Sequence, residues 1–155
     1  MVVRWKIWFL FLLLLFAGSY LREVTFLSIN AIIKGETQFY AKTIEISFLQ
    51  NYSPAFLTKL KVILTALFSF LFILLSTLGL KLSFKQKYPH QLALFIYGIL
   101  GLIGGITLFS YFFDFSFETI YLLLRTLIGW IHNPLLYILL SIASFSAEVL
   151  KKTEN

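Results

Sequence analysis

Long apolar runs alternate with short polar segments along this chain. Four such runs stand out, at about residues 5–21, 62–80, 92–113 and 119–147. A helix needs roughly 20 apolar residues to cross the ~30 Å hydrocarbon core of a bilayer. The pattern therefore predicts an all-α, polytopic integral membrane protein in which residues 1–155 form one domain, a bundle of four transmembrane helices.

The first apolar run follows two basic residues and has two interpretations, a transmembrane helix or the core of a signal peptide. Ala17-Gly18-Ser19 is small enough to imitate a cleavage site. The apolar stretch of ~15 residues is longer than many signal-peptide cores. A retained first span is therefore favoured, with Trp5 and Trp8 expected at its cytoplasmic interface.

Residues 22–61 form a mixed segment between the first two spans, with charges scattered among apolar residues. Helical spacing predicts that the first helix continues past the bilayer to about Ile33, before Gly35. Two short amphipathic pieces, at 44–49 and 55–60, are separated by a turn at 51–54. We expect this outer insert to lie on the membrane surface with an apolar face.

The fourth run is too long for one straight span. At ~1.5 Å per residue, positions 119–147 would extend over about 40 Å. Pro134 lacks an amide donor and clashes with the preceding turn, so a kink is predicted between Gly129 and Asn133. A polar tail at 148–155 follows.

Composition supports a membrane protein and excludes several other classes. Of the residues, 59% are hydrophobic and 13% are charged, whereas soluble domains carry about 25% charged residues. The chain has a net charge of +6, but its basic residues flank apolar runs instead of forming a nucleic-acid face. It contains no cysteine, which excludes disulfides, thiolate metal sites and a cysteine nucleophile.

The distribution of basic residues predicts that both termini lie in the cytoplasm. Short cytoplasmic loops carry an excess of Lys and Arg. With the N-terminus inside, seven basic residues are inside and five are outside, where three acids of the long insert offset them. The inner ones are Arg4, Lys6, Lys81, Lys85, Lys87, Lys151 and Lys152, and the outer ones are Arg22, Lys34, Lys42, Lys59 and Lys61.

Arg125 is the charged residue inside the fourth apolar run. A guanidinium at apolar depth costs ~2.5 kcal/mol or more unless it snorkels, pairs or faces water. One interpretation is a polar site at the outer membrane boundary for a partner helix or a lipid headgroup. The other is an interfacial arginine that pairs with an acid for helix packing. Helical spacing aligns it with Tyr121, Gly129 and His132, and nearby acids are Glu23, Asp114 and Glu118.

Two further features have both structural and functional interpretations. Arg22 and Glu23, followed by Asn30, either join Arg125 across the bundle or act as an ordinary stop after the first span. Gly101 and Gly105 form a small-xxx-small motif, expected to serve helix packing within the monomer more than a dimer face.

No cofactor, metal or catalytic site is predicted. His132 is expected nearer the outer side and His90 in the inner loop, so they are poorly placed to share a haem iron. A packing hydrogen bond beside the Asn133-Pro134 kink is the favoured role of His132. The four runs contain no Asp or Glu, which disfavours a proton relay or cation site.

The last helix resembles the ending of small exosortase-associated membrane proteins of Bacteroidetes. The resemblance covers Leu122-Leu123-Leu124-Arg125-Thr126-Leu127 through Asn133-Pro134-Leu135-Leu136, and Leu21-Arg22-Glu23 through Asn30. It implies an inner-membrane companion of a protein-sorting system, with no established activity of its own. The peptidase of such a system uses a cysteine, which this chain lacks.

The sequence thus predicts a non-catalytic accessory or structural subunit of a bacterial inner-membrane complex, docked through Arg125 and the outer insert. Its expected partners are other membrane subunits and the bilayer, without nucleic acid. A small oligomeric transporter or channel and a haem-bearing membrane anchor are the alternatives. Flux through the reconstituted protein that depends on Arg125 would support the transporter or channel. A haem absorption spectrum of the purified protein would support the membrane anchor.

Overall fold

The structure is a computed structural model that describes residues 3–35, 47–84, 88–111 and 117–153. Side chains are described over these ranges except at 47, 104–111, 117–121, 124 and 147–153. The elements are α1 (Trp5–Lys34), a 3₁₀ turn (Ser47–Leu49), α2 (Pro54–Ser83), α3 (Tyr88–Tyr111), α4 (Phe117–Ile131) and α5 (Pro134–Thr153).

The described residues confirm an all-helical chain with helices of membrane-spanning length. Helices α1 and α2 are long and apolar enough to cross a bilayer, and α4 with α5 would add a third span if the bent pair is one span. Within α3, the apolar segment found in the described part is the shorter Tyr88–Ile103.

Helices α1 and α2 form an antiparallel pair that is joined at both ends. At one end the Arg4 amide donates to the Ser83 carbonyl oxygen at 2.8 Å. At the other end the Lys61 ammonium donates to Asn30 Oδ1 at 2.6 Å. Each helix has 30 residues, or ~45 Å, which exceeds the ~30 Å hydrocarbon core.

The ends of this pair follow from local sequence. Gly35 ends α1 in the left-handed conformation, at φ 66°, which glycine adopts without a Cβ penalty. Ser53 caps α2 by accepting from the Phe56 amide at 3.3 Å, and Pro54 suits the first helical position. The predicted end of the first helix and the predicted turn at 51–54 are therefore confirmed.

The separate amphipathic piece predicted at 55–60 is wrong, because these residues are the first turns of α2. No glycine or proline interrupts the chain between them and the apolar run. Once a helix has begun, each added residue gains a hydrogen bond, so it propagates into the span. Of the other predicted piece, 44–46 lie outside the described residues.

The main core lies where α1, α2 and α5 meet. Leu15, Phe72, Leu80 and Tyr137 are all buried there. The Trp8 ring stacks on Tyr137 at 5.8 Å between centroids, and its indole N–H donates to Ser141 Oγ at 2.8 Å. Trp8 thus packs inward against the last helix, whereas Trp5 is exposed.

A break separates α4 from α5 at His132 and Asn133, and the two helices are bent by 59°. Asn133 Oδ1 accepts from the Leu135 amide at 3.0 Å, so the asparagine caps α5 while Pro134 begins it. The predicted kink is confirmed in place. The helix breaks completely at this point because the Asn133 cap and Pro134 together start a new helix.

Candidate functional site

A polar cluster, formed by the half-buried Arg22 and Ser69 and the buried His132, lies between α1, α2 and the α4–α5 break. His132 is only 2% exposed. Its Nε2 lies 2.9 Å from Ser69 Oγ, and its ring centroid is 5.2 Å from that of Phe72. The cluster therefore ties the break in the last two helices to the middle of α2.

The hydrogen bonds of Ser69 assign the tautomer of His132. The Ser69 hydroxyl donates to the Thr65 carbonyl oxygen at 2.8 Å. A hydroxyl has one proton, so toward His132 it accepts, and Nε2 carries the imidazole hydrogen. Nδ1 is then left as an acceptor.

Arg22 completes the cluster from α1. Its guanidinium lies over the Phe26 ring at 5.3 Å from the centroid, and its charge acts on His132. Arg22 Nε and His132 Nδ1 are both buried, and neither has a hydrogen-bond partner among the described residues. One is a donor and the other an acceptor, so the arrangement suits polar recognition between helices.

Arg125 and His132 do not share a helix face, so that prediction is wrong. Arg125 and Gly129 are exposed on α4, whereas His132 is buried. The reason is local: α4 ends at Ile131, and the next residue turns inward. Asp114 lies outside the described residues, as does the side chain of Glu118, so the structure does not test their pairing with Arg125.

The residues after the first span separate in the structure instead of forming one group. Arg22 lies over the Phe26 ring, and Glu23 is exposed but interacts electrostatically with Arg22. Asn30 binds Lys61 on α2. Sequence reasoning missed Ser69 and Lys61, although a hydroxyl and a lysine within or beside an apolar run are features that indicate polar contacts.

The described residues show no close helix approach at Gly101, and its packing role within the monomer stays a prediction. Gly101 is exposed, and a Cβ built there meets nothing within 4 Å. Gly105 lies among the residues whose side-chain surroundings are not described. The close approach instead occurs at Gly79 of α2, within a group of small buried residues that would have indicated it, namely Ser76, Thr77, Gly79 and Ser83.

The two histidines are anchored at different levels of α2. His90 Nδ1 lies 3.3 Å from the Thr77 carbonyl oxygen, whereas His132 contacts Ser69. Eight residues separate these two anchors, or ~12 Å of helix. Within the described part of the chain, no three His, Cys, Asp or Glu side chains come together as a metal site would require.

A groove of about 430 Å³, which we call the elbow groove, lies in the angle between α4 and α5. Both helices contribute to it, so it depends on the 59° bend. Its surface is mainly apolar, with two polar side chains. The lining residues are Thr126, Gly129, Trp130, Asn133, Leu135, Leu136 and Leu139.

Replacing Ser69 by alanine is expected to lower the free energy of unfolding by ~1–3 kcal/mol, because the buried Nε2–H of His132 loses its acceptor. The thermal midpoint of the purified protein in detergent measures this. Thr58→Ala is the matched control, since that exposed hydroxyl also bonds the carbonyl four residues back. Equal midpoints for the two variants would show that the Ser69–His132 contact contributes nothing.

No protein-family model, curated protein or solved structure matches this chain.

Proposed function

We propose that this chain is a non-catalytic accessory subunit of a multi-protein complex in a bacterial inner membrane. It crosses the membrane four times, with both termini in the cytoplasm. Two long apolar helices and a bent apolar pair support insertion. The group of side chains that the structure gathers, Arg22, Ser69 and His132, supports a packing role more than a reaction.

The observation that carries this proposal is the end of the α1–α2 pair where Asn30 meets Lys61. Here Ile29, Leu49 and Leu57 form a small core separate from the main one. Because each helix exceeds the hydrocarbon thickness by ~15 Å, this end lies at or beyond the outer membrane surface. The described parts of the outer insert, residues 22–35 and 47–61, thus form a packed helical projection that is suited to contact another subunit.

The projection carries an exposed aromatic group, which we call the aromatic tip: Phe48, Tyr52 and Phe56. Phe48 is 68% exposed. The Tyr52 and Phe56 rings stack with centroids 4.6 Å apart. Exposed aromatic side chains grouped on a supported surface are typical of protein contacts, where they contribute a large part of the affinity.

The resemblance of residues 21–30 and 122–136 to exosortase-associated proteins adds a candidate setting. In that setting the chain accompanies a sorting peptidase that is a separate protein. The aromatic tip, on the outer side, then faces the compartment in which exported proteins are processed. Partner subunits therefore include the peptidase itself or another inner-membrane component beside it.

Alanine at both Phe48 and Tyr52 is expected to reduce recovery of a partner subunit at least tenfold, the effect of losing one interface hot spot. The measurement is purification from the native host in mild detergent, with subunit ratios determined by mass spectrometry. The matched control is Phe70→Ala with Phe95→Ala. Each of these control residues is 67% exposed on the apolar body of the helices.

Wild type and control should both retain one second subunit in a fixed ratio. Two results would contradict the proposal: a wild-type protein that runs alone as a stable monomer, or a tip variant that keeps its partner. Arg125→Ala, measured in the same way, tests whether that residue contributes to docking as the sequence predicts.

A further inference from the structure

We propose that the elbow groove and Arg125 together bind one anionic phospholipid. Its phosphate pairs with the Arg125 guanidinium, and one acyl chain lies in the groove. This site is distinct from the aromatic tip and does not depend on the identity of any partner subunit. It requires only that α4 and α5 lie in a bilayer.

Charge is the first argument. Arg125 is exposed on α4, between the exposed apolar side chains of Leu122, Leu123 and Trp130. A cation on such a surface needs a counter-charge or access to the headgroup region. Guanidinium and phosphate match in charge and in hydrogen-bond geometry, often through two parallel bonds.

The order of residues along the chain is the second argument. Arg125 directly precedes Thr126, the first residue of the groove, and lies one helical turn before Gly129. From there the groove continues past Asn133 to Leu139 on α5. The cation is thus at one end of the groove, and the leucines are at the other end. A phospholipid has the same order, from phosphate through ester to acyl chain.

The shape of the groove is the third argument, and it favours a lipid over a partner helix. The two walls diverge by 59°, so a straight helix that follows α4 leaves α5. A flexible acyl chain bends with both walls. The volume of about 430 Å³ is within the ~300–1,000 Å³ of ordinary small-ligand sites.

Trp130 lines the groove and can report occupancy through quenching by brominated acyl chains. The purified full-length chain is reconstituted in phosphatidylcholine with an equal mole fraction of either brominated phosphatidylglycerol or brominated phosphatidylcholine. For each protein, the emission of Trp130 is the total tryptophan emission minus the emission of the same protein carrying Trp130→Phe. We expect the anionic lipid to occupy the site about fivefold more than the zwitterionic one, the preference that one arginine at a membrane surface provides.

Two pairs of variants separate the headgroup from the groove. Arg125→Gln should abolish the lipid preference, whereas Arg4→Gln, at another exposed arginine, should retain it. Gly129→Leu should fill the groove and reduce quenching by both lipids, because a side chain there meets open space. Gly98→Leu, at an equally open helical glycine, should leave quenching unchanged.

Equal quenching by the two lipids in the wild type would overturn the proposal, as would a preference that survives Arg125→Gln. A native complex in which Trp130 is shielded from both brominated lipids would overturn it in favour of a protein in the groove. Loss of the partner in the aromatic-tip experiment leaves the lipid result unaffected, so failure of either proposal can be recognised separately.

Discussion

Replacing Gly79 by alanine is expected to destabilise the protein by ~1–3 kcal/mol, the usual cost of adding a methyl group to a packed core. A Cβ at this position would lie 2.8 Å from Phe11 Cγ, 2.9 Å from Phe11 Cβ and 3.0 Å from Tyr137 Cε2. The Phe11 atoms are close to its own backbone. They can move away only if α1 itself shifts relative to α2.

The control for Gly79→Ala is Gly98→Ala on α3. Position 98 is also helical, but its Cβ meets nothing within 4 Å, so alanine there should be neutral or stabilise by up to ~1 kcal/mol. Thermal midpoints in the same detergent compare the two. A Gly79→Ala protein as stable as wild type would show that α1, α2 and α5 do not approach as closely as described.

Replacing Tyr137 by alanine is expected to lower the free energy of unfolding by ~3–5 kcal/mol, as for other buried aromatic residues. Tyr137 is 0% exposed and stacks on Trp8, so its removal leaves a cavity between the first and last helices. Ile142→Ala is the control on the same helix, because that side chain is 57% exposed. Its cost should be small.

Tyr137→Phe separates the ring from its hydroxyl. The hydroxyl oxygen is buried near the Ser83 hydroxyl, but the two groups do not meet hydrogen-bond geometry, and neither has another partner among the described residues. Removal of the Tyr137 hydroxyl should therefore be neutral or stabilise by ~1 kcal/mol, because the buried polar group is no longer left unsatisfied. A loss of more than ~1 kcal/mol, measured by the same unfolding experiment, would show that the oxygen is bonded in the folded protein.

Helical class and helix ends were predictable because they depend on neighbours in sequence. Gly35, Ser53 and Pro54 act through backbone conformation and capping within a turn of their own positions. Asn133 with Pro134 determines the break between the last two helices in the same way. The length of an apolar run predicts a membrane helix, but it does not show how far the helix continues beyond the run. Residues 55–60 were assigned to a separate piece for that reason.

Contacts between helices were less predictable, since they depend on rotation of each helix about its axis. Gly101 and Gly79 are both glycines in apolar helices, yet only Gly79 meets a neighbouring helix. Arg125 and His132 have helical spacing, but Arg125 is exposed on α4 whereas His132 is buried at the helix break. The pairing of His132 with Ser69 crosses 63 positions, and no local pattern specifies such a contact.

The hydrogen bond from Trp8 to Ser141 joins residues 133 positions apart, and this separation constrains the order of assembly during synthesis. The first helix leaves the ribosome long before the last one exists. Its early partner is α2, which it can meet as an antiparallel hairpin. The face of α1 that bears Trp8 must then remain in lipid, or against the insertion machinery, until α5 arrives. Chains truncated before α5 should therefore leave this indole accessible to quenchers that the complete protein excludes.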